Sequence, residues 1–364
     1  MRIIFTGGGT GGHIYPALAV AEEILNKKPQ SKILFIGGTR NIESEIIGKA
    51  GFVMKTIKVT GLPRKITPQI FTFIWNLGLS IINSMRIIRG FKPSLIMGTG
   101  GYVSGPPIIA AWTMGIPIVL QEQNSYPGIT TKKLARFARI VFLGFQDATG
   151  YFGKNAKTLV TGNPVRKNIQ TVTRDKASTA FGLDPGLKTV LVFGGSQGAH
   201  SINCVLSEIV EDIAELDIQV IWQTGNNEYD EWKRFDGCSG GKIKVVPYID
   251  TMSNAYAASD LVVCRAGAMT MAEITACGLP GIFIPLPNAA ENHQEYNARS
   301  LVNSGAASII LERELTPGNL RREIIGIVTS DEKLKEMSEQ SEKLGIRDAA
   351  SVIAGIIIEQ YGMN

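Results

Sequence analysis

The chain reads as two doubly wound α/β domains, and three observations lead there. Short apolar runs of strand length alternate with stretches of helical periodicity. The series restarts near residue 188. The loop after the first run of each series has the same pattern, Gly8-Gly9-Thr10-Gly11-Gly12 in one half and Gly194-Gly195-Ser196-Gln197-Gly198 in the other. Strand–loop–helix alternation of this kind specifies βαβ units and parallel sheets, and a restart specifies a second sheet. In order, Arg2–Thr6, Lys32–Ile36, Ser94–Met97, Pro117–Leu120 and Ile140–Leu143 read as strands of the first half. Val190–Phe193, Gln219–Trp222, Ile243–Val246, Leu261–Val263 and Gly281–Ile284 read as strands of the second. Pro16–Asn26 has helical spacing, with Leu18, Val20, Ala21, Ile24 and Leu25 apolar. The turn cluster Thr161-Gly162-Asn163-Pro164 marks a linker, so the domains are drawn as 1–163 and 164–345. A last helix, within 346–364, is apolar at Val352, Ile353, Ile356 and Ile357 and is assigned to the first domain.

Composition bounds the function. At 364 residues, 44% hydrophobic and 19% charged, the chain is long enough for two cores and too apolar for general disorder. Cys204, Cys238, Cys264 and Cys277 include no C-x-x-C pair, and the chain has only 3 His, so a zinc site is not expected and the thiols read as free in a reducing compartment. The N-terminal apolar run is too short for a signal peptide, which makes the chain cytoplasmic on this reading. Charge is divided unevenly. Residues 1–165 carry 19 Lys and Arg against 6 Asp and Glu, a net of +13, and residues 166–364 carry 18 against 26, a net of −8. A basic first half suits nucleic acid, an anionic membrane or a diphosphate.

Two long stretches carry no charge. In 93–121, Pro106, Pro107, Pro117 and several glycines break the run into strand, loop, helix and strand, which argues against a spanning helix. In 66–85, Phe71, Phe73, Ile74, Trp75, Leu77, Leu79, Ile81, Ile82 and Met85 lie between cations, Arg64 and Lys65 on one side and Arg86, Arg89 and Lys92 on the other, while Pro68, Gln69, Asn76 and Asn83 make the stretch a poor membrane span. The pattern fits a helix lying on an anionic membrane surface, and it also fits a core helix with ordinary surface cations.

Three glycine loops follow strands. Gly7-x-Gly9-x-x-Gly12 formally matches the dinucleotide fingerprint, but the second strand ends in Phe35-Ile36-Gly37-Gly38-Thr39, with no carboxylate for a ribose, so NAD binding is not expected. Glycine amides and a helix N-terminus can hold an anion, and the alternative is a tight structural turn. Gly98–Gly105 repeats the device, which suggests a diphosphate ligand, and Phe193–Ala199 presents Ser196. None of the loops has the P-loop pattern. Most specific is Cys264–Glu273, where a strand ends and a helix opens at Ala268 with Thr270 and Glu273 on one face. A carboxylate there can accept from both hydroxyls of a ribose, and it can equally be a plain surface glutamate. The amides of Glu291-Asn292-His293-Gln294 can read sugar hydroxyls.

Taken together these residues resemble the MurG family of bacterial cell-wall glycosyltransferases, from Met1 to about Ile357. The motifs, in order, are GGGTGGH at 7–13, GTGGYVSGP at 98–106, EQN at 122–124, GNPVR at 162–166, GGSQGA at 194–199, CRAGAMTMAEI at 264–274 and HQ at 293–294. The resemblance implies the GT-B glycosyltransferase fold, two Rossmann-like doubly wound parallel-sheet domains facing across a cleft. It implies transfer of N-acetylglucosamine from UDP-GlcNAc to the 4-hydroxyl of an undecaprenyl-diphosphate-linked muramoyl-pentapeptide, inverting, in peptidoglycan synthesis. The enzyme would sit peripherally on the cytoplasmic face of the membrane, against anionic inner-leaflet lipids and other wall-building proteins, with no nucleic-acid partner. By the same resemblance the C-terminal domain takes the donor through Ser196, Ile249, Ala268, Met269, Thr270, Glu273 and Gln294, with Thr10, Gly11, Gly12, Asn124 and Arg166 also matching donor-site positions. The acceptor diphosphate falls to Gly9, His13, Gly100, Gly101 and Tyr102. Gln121 stands where some members have His, and Glu291-Asn292-His293 departs from the other common form of that loop.

Such a transfer needs stabilisation of the departing diphosphate and a base for the acceptor hydroxyl. The sequence contains no D-x-D metal clamp, so helix dipoles, glycine-loop amides and Arg166 are expected to serve without metal or cofactor. His13 is the first candidate base, with phosphate binding as its other role, and Glu122 is the second candidate. Two alternatives remain at this level, a UDP-GlcNAc 2-epimerase of the same architecture and a nonenzymatic sugar-nucleotide binder.

Overall fold

The computed structural model describes residues 1–39, 41–59, 69–165, 169, 172–195 and 197–362. The chain divides into two compact units, Met1–Val165 with Arg347–Asn364, and Arg166–Ile346.

The first unit is built on a parallel sheet of β1 (Arg2–Thr6), β2 (Lys32–Gly37), β3 (Val53–Thr56), β4 (Leu95–Gly98), β5 (Ile118–Glu122), β6 (Ile140–Leu143) and β7 (Thr158–Val160), in the order β3-β2-β1-β4-β5-β6-β7. Central strands of a parallel sheet are covered on both faces, which is why they are continuously apolar. Along β1, Ile3 and Phe5 enter one core with Val20 and Ile24 of the helix Gly11–Lys27, while Ile4 enters the opposite core with Ile88 and Ile108. The C-terminal helix Ala349–Tyr361 joins the first of these cores through Ala350, Ile353, Ala354 and Ile357, and Val352 is turned outward.

The second unit holds β8 (Lys188–Phe193), β9 (Ile218–Gln223), β10 (Ile243–Val246), β11 (Leu261–Cys264), β12 (Gly281–Phe283) and β13 (Ala307–Ile309), in the order β10-β9-β8-β11-β12-β13 and again parallel. Both units are therefore the doubly wound α/β folds expected from the sequence.

Three strands go beyond that expectation: β3, β7 and β13. Each lies at a sheet edge and is largely half-buried or exposed, so none carries a continuous apolar run. The first helix also starts earlier than its apolar spacing suggests, at Gly11, and carries Pro16 inside it.

In each sheet the strand order reverses between two neighbours, β1 with β4 and β8 with β11. Loops leaving the carboxyl ends of such a pair form a crevice where ligands bind in open α/β sheets. The three glycine loops and the Cys264–Glu273 stretch singled out in the sequence leave these four strands, whereas Glu122–Asn124 and Glu291–Gln294 follow the neighbouring strands β5 and β12.

Candidate active site

In the first unit the loops after β1 and β4 are pressed together. The Thr99 amide donates to Thr6 O at 2.9 Å, and its hydroxyl donates to His13 O at 2.7 Å. Gly101 has φ +74, and a Cβ there would run into Gly8 O. A Cβ on Gly100 would lie 2.9 Å from His13 Cδ2, so the imidazole rests against the Gly100–Gly101 backbone. His13 Nδ1 is 3.2 Å from the Thr10 hydroxyl. Tyr102 stands beside Gly9, where an added Cβ would be 3.7 Å from its ring. Gly9, Thr10, His13, Gly100, Gly101 and Tyr102 thus form one cluster, with Gly11 and Gly12 opening the helix behind it.

Glu122 ends β5 and is buried. Its Oε1 accepts from the Asn124 amide at 3.1 Å and the Asn124 side chain at 3.0 Å, and its Oε2 accepts from the Gly128 amide at 3.2 Å. Burial pushes its pKa up, and these amides together with the Thr131 hydroxyl pull it back only in part. The carboxyl group thereby staples the turn 124–128, and Asn124 is tied to it. Gln121 is fully buried and donates to Asn163 Oδ1 at 2.9 Å, while Gln123 donates to Thr99 O at 2.8 Å. These amides tie β5 to the β4 loop and the turn at 161–163.

In the second unit the loops after β8, β11 and β12 enclose a pocket of about 570 Å³. Thr270 and Gln294, both expected at the donor site, line it with Gly194, Gly195 and Arg265. Gly267 precedes the helix Ala268–Ala276, so Ala268, Met269 and Thr270 form its first turn. Glu273 lies on the same helix and accepts from the Tyr256 hydroxyl at 3.1 Å. Gln294 Oε1 accepts from the Leu286 amide at 2.9 Å and closes the loop between them. Within that loop Glu291 and Asn292 have φ of +54 and +55, a strained pair for residues with side chains.

The Ile249 amide donates to Gln223 Oε1 at 3.0 Å, and Gln223 Nε2 donates to Gly195 O at 2.9 Å. Ile249 and Glu273 are not among the residues lining the pocket. Ser196 and Arg166 lie outside the described residues, as do the flanking cations Arg64 and Lys65. Among the described residues no three His, Cys, Asp or Glu side chains are grouped to hold a metal ion.

The structure adds residues to which the sequence reading gives no role. Arg265 is largely buried and meets Glu312 with both terminal nitrogens. It also donates to Ser201 Oγ at 3.1 Å and Ile284 O at 3.1 Å, which joins three walls of the pocket. Arg265 stands inside the CRAGAMTMAEI motif, so a signal is present. Glu312 is 47 residues further along and carries none. Gln223 and Tyr256 are likewise brought in by the packing alone.

Comparison with known proteins agrees with this geometry. The glycosyltransferase family 28 N-terminal domain matches residues 3–143, and the family 28 C-terminal domain matches residues 189–353. The UDP-N-acetylglucosamine--N-acetylmuramyl-(pentapeptide) pyrophosphoryl-undecaprenol N-acetylglucosamine transferase of Desulfitobacterium hafniense is 42% identical, over 99% of both chains. The enzyme of the same name from Acetivibrio thermocellus is 40% identical over 98% of this chain and 97% of its own. The crystal structure of Acinetobacter baumannii MurG superimposes with a TM-score of 0.80 at 26% identity, covering 98% of this chain and 99% of that one. With both domains of the family matched in order and full-length relatives at this identity, the chain belongs to the MurG family within glycosyltransferase family 28.

Proposed function

We propose that this chain is the enzyme that transfers N-acetylglucosamine from UDP-GlcNAc to the 4-hydroxyl of the muramoyl-(pentapeptide) pyrophosphoryl-undecaprenol acceptor in peptidoglycan synthesis. The relatives' names supply the donor and acceptor. The observation in the chain itself that carries the reading is the pocket at the β8–β11 switch point, where a glycine loop, a helix N-terminus, Thr270 and Gln294 converge.

In this reading the second unit takes the donor. The diphosphate lies on the Gly194-Gly195 loop and the first turn of the helix Ala268–Ala276, the ribose on Glu273 and the sugar at Gln294. Negative charge grows on the departing diphosphate, and backbone amides there stabilise it without rearrangement. The first unit takes the acceptor at the cluster around His13. The acceptor oxygen bonds to the anomeric carbon as the bond to the β-phosphate oxygen breaks, UDP departs, and the hydroxyl proton passes to a base. His13 is assigned that base, because imidazole exchanges protons near neutral pH. Glu122, itself buried and with both oxygens occupied by the turn 124–128, is assigned a positioning role.

No helix among the described residues is long and apolar enough to cross a membrane. The helix Gln69–Phe91 instead has two apolar faces. One packs on the core through Ile81, Met85 and Ile88. The other exposes Trp75, Leu79 and Ile82 at 70%, 45% and 48%, with Ile74 at 58% nearby. Arg86 and Arg89 are exposed beyond this stripe. We assign the stripe to peripheral docking on anionic lipid, which brings the enzyme to its acceptor.

The deciding experiment incubates labelled UDP-GlcNAc with the lipid-linked muramoyl-pentapeptide. Label appearing in the lipid fraction, with turnover persisting in excess chelator, supports the reading. Conversion of the donor without lipid identifies an epimerase, and tight donor binding without turnover identifies a sensor.

A further inference from the structure

The β1 glycine loop already holds a carboxyl group, and that group is part of the chain. Glu43 lies in the first turn of the helix Asn41–Lys49 and is 1% exposed. Its Oε1 accepts from the Gly9 amide at 2.7 Å, and its Oε2 accepts from the Gly38 amide at 2.6 Å. A single side chain therefore bridges the loops after β1 and β2, which are neighbours in the sheet. In a dinucleotide-binding fold the first of these loops receives the pyrophosphate, and an acid at the end of the second strand receives the ribose. Here β2 ends at Gly37 without an acid. The carboxyl group comes instead from the helix that follows, and it turns back into the β1 loop.

The glycines fit this arrangement. A Cβ on Gly8 would lie 2.6 Å from Glu43 Oε1, and a Cβ on Gly37 would lie 2.9 Å from Glu43 Oε2. The absence of side chains at these positions makes room for the internal carboxyl group rather than for a ligand. We propose that Glu43 is a specificity-determining and positioning residue: it occupies the β1–β2 glycine amides, closes them to soluble diphosphates, and holds the β1 loop in the shape against which His13 and Gly101 pack. The Gly9 amide then contributes to acceptor binding through the shape of the loop. The kinetic part of this inference rests on the proposed transferase reading, and the binding part does not.

The test uses the full-length chain as wild type, Glu43→Gln and Glu43→Ala. Calorimetric titration with inorganic pyrophosphate, with and without saturating UDP, reads the closed amides directly. The expected result is a pyrophosphate site in Glu43→Ala that persists under UDP and binds at least about tenfold more tightly than in wild type. In the transfer assay both variants should raise the acceptor KM about tenfold with the donor KM within about twofold, and acetate should restore Glu43→Ala. A folded Glu43→Ala protein that binds pyrophosphate as wild type does, or an unchanged acceptor KM in Glu43→Gln, overturns the proposal. If Glu43→Ala does not fold, the nearly isosteric Glu43→Gln decides through the acceptor KM. A wild-type chain that transfers no sugar defeats the functional reading, while the titration still decides the role of Glu43.

Discussion

The Tyr256 hydroxyl donates to Glu273 Oε2 across 3.1 Å, from a buried side chain. Burial and the neighbouring Glu273 charge hold the phenol well above its ordinary pKa, so it remains a donor at any working pH. Tyr256→Phe keeps the packing and removes the donor. We expect the donor KM to rise about fivefold with little change in kcat, at a stability cost of about 1 kcal/mol. Steady-state kinetics over donor concentration, beside a thermal unfolding curve, checks both.

Arg265 and Glu312 form a part-buried ion pair beside the pocket. Burial raises the Glu312 carboxyl, but the Arg265 guanidinium and the Ser201 hydroxyl outweigh it, and the net pKa lies below the ordinary value of 4.5. A carboxyl lowered in the folded state contributes stability above its unfolded pKa and loses it as pH falls through the folded value. Glu312→Gln should therefore be less stable than wild type at neutral pH, by about 1 kcal/mol after allowance for partial exposure. The gap should narrow as pH falls below the ordinary carboxyl value of 4.5 and close once pH has passed below the lowered folded-state value. Unfolding midpoints measured across this range check the sign.

His13 and Glu122 should separate by their signatures. Glu122→Ala removes the buried carboxyl group that accepts from the half-buried Asn124 and Gly128 amides, and should lose about 1–3 kcal/mol of stability together with activity. His13→Ala should lose turnover at saturating acceptor with a smaller change in unfolding midpoint. Unchanged turnover in that variant removes His13 from the base role.

The exposed stripe on the helix Gln69–Phe91 should govern membrane affinity. Replacing Trp75 and Leu79 by Glu puts two charges into the apolar face without touching the buried side. Sedimentation with anionic vesicles should weaken about tenfold or more, with donor binding unchanged. Added salt should weaken binding of the wild type as well.

The central strands and the glycine loops are legible because both are local signals. A strand covered on two faces needs an unbroken apolar run, and a chain reversing beside another backbone needs glycine. The runs Arg2–Thr6 and Ile140–Leu143 coincide with the central strands β1 and β6 from end to end, and Ile243–Val246 coincides with β10, an edge strand that alternates buried and half-buried residues. The edge strands β3, β7 and β13 lack such a run, so nothing in their residues announces them.

Parallel strands, the restart that makes two sheets, and the loops that leave the switch-point strands are all written into short stretches of the chain. Which distant groups meet at those loops is settled only by the folded molecule: Glu43 on Gly9, Arg265 with Glu312, and Tyr256 on Glu273. The difference is one of range. Periodicity and glycine act within a few residues, whereas the partner of a carboxyl group is chosen by how helices pack on a sheet, and no spacing along the chain records that choice.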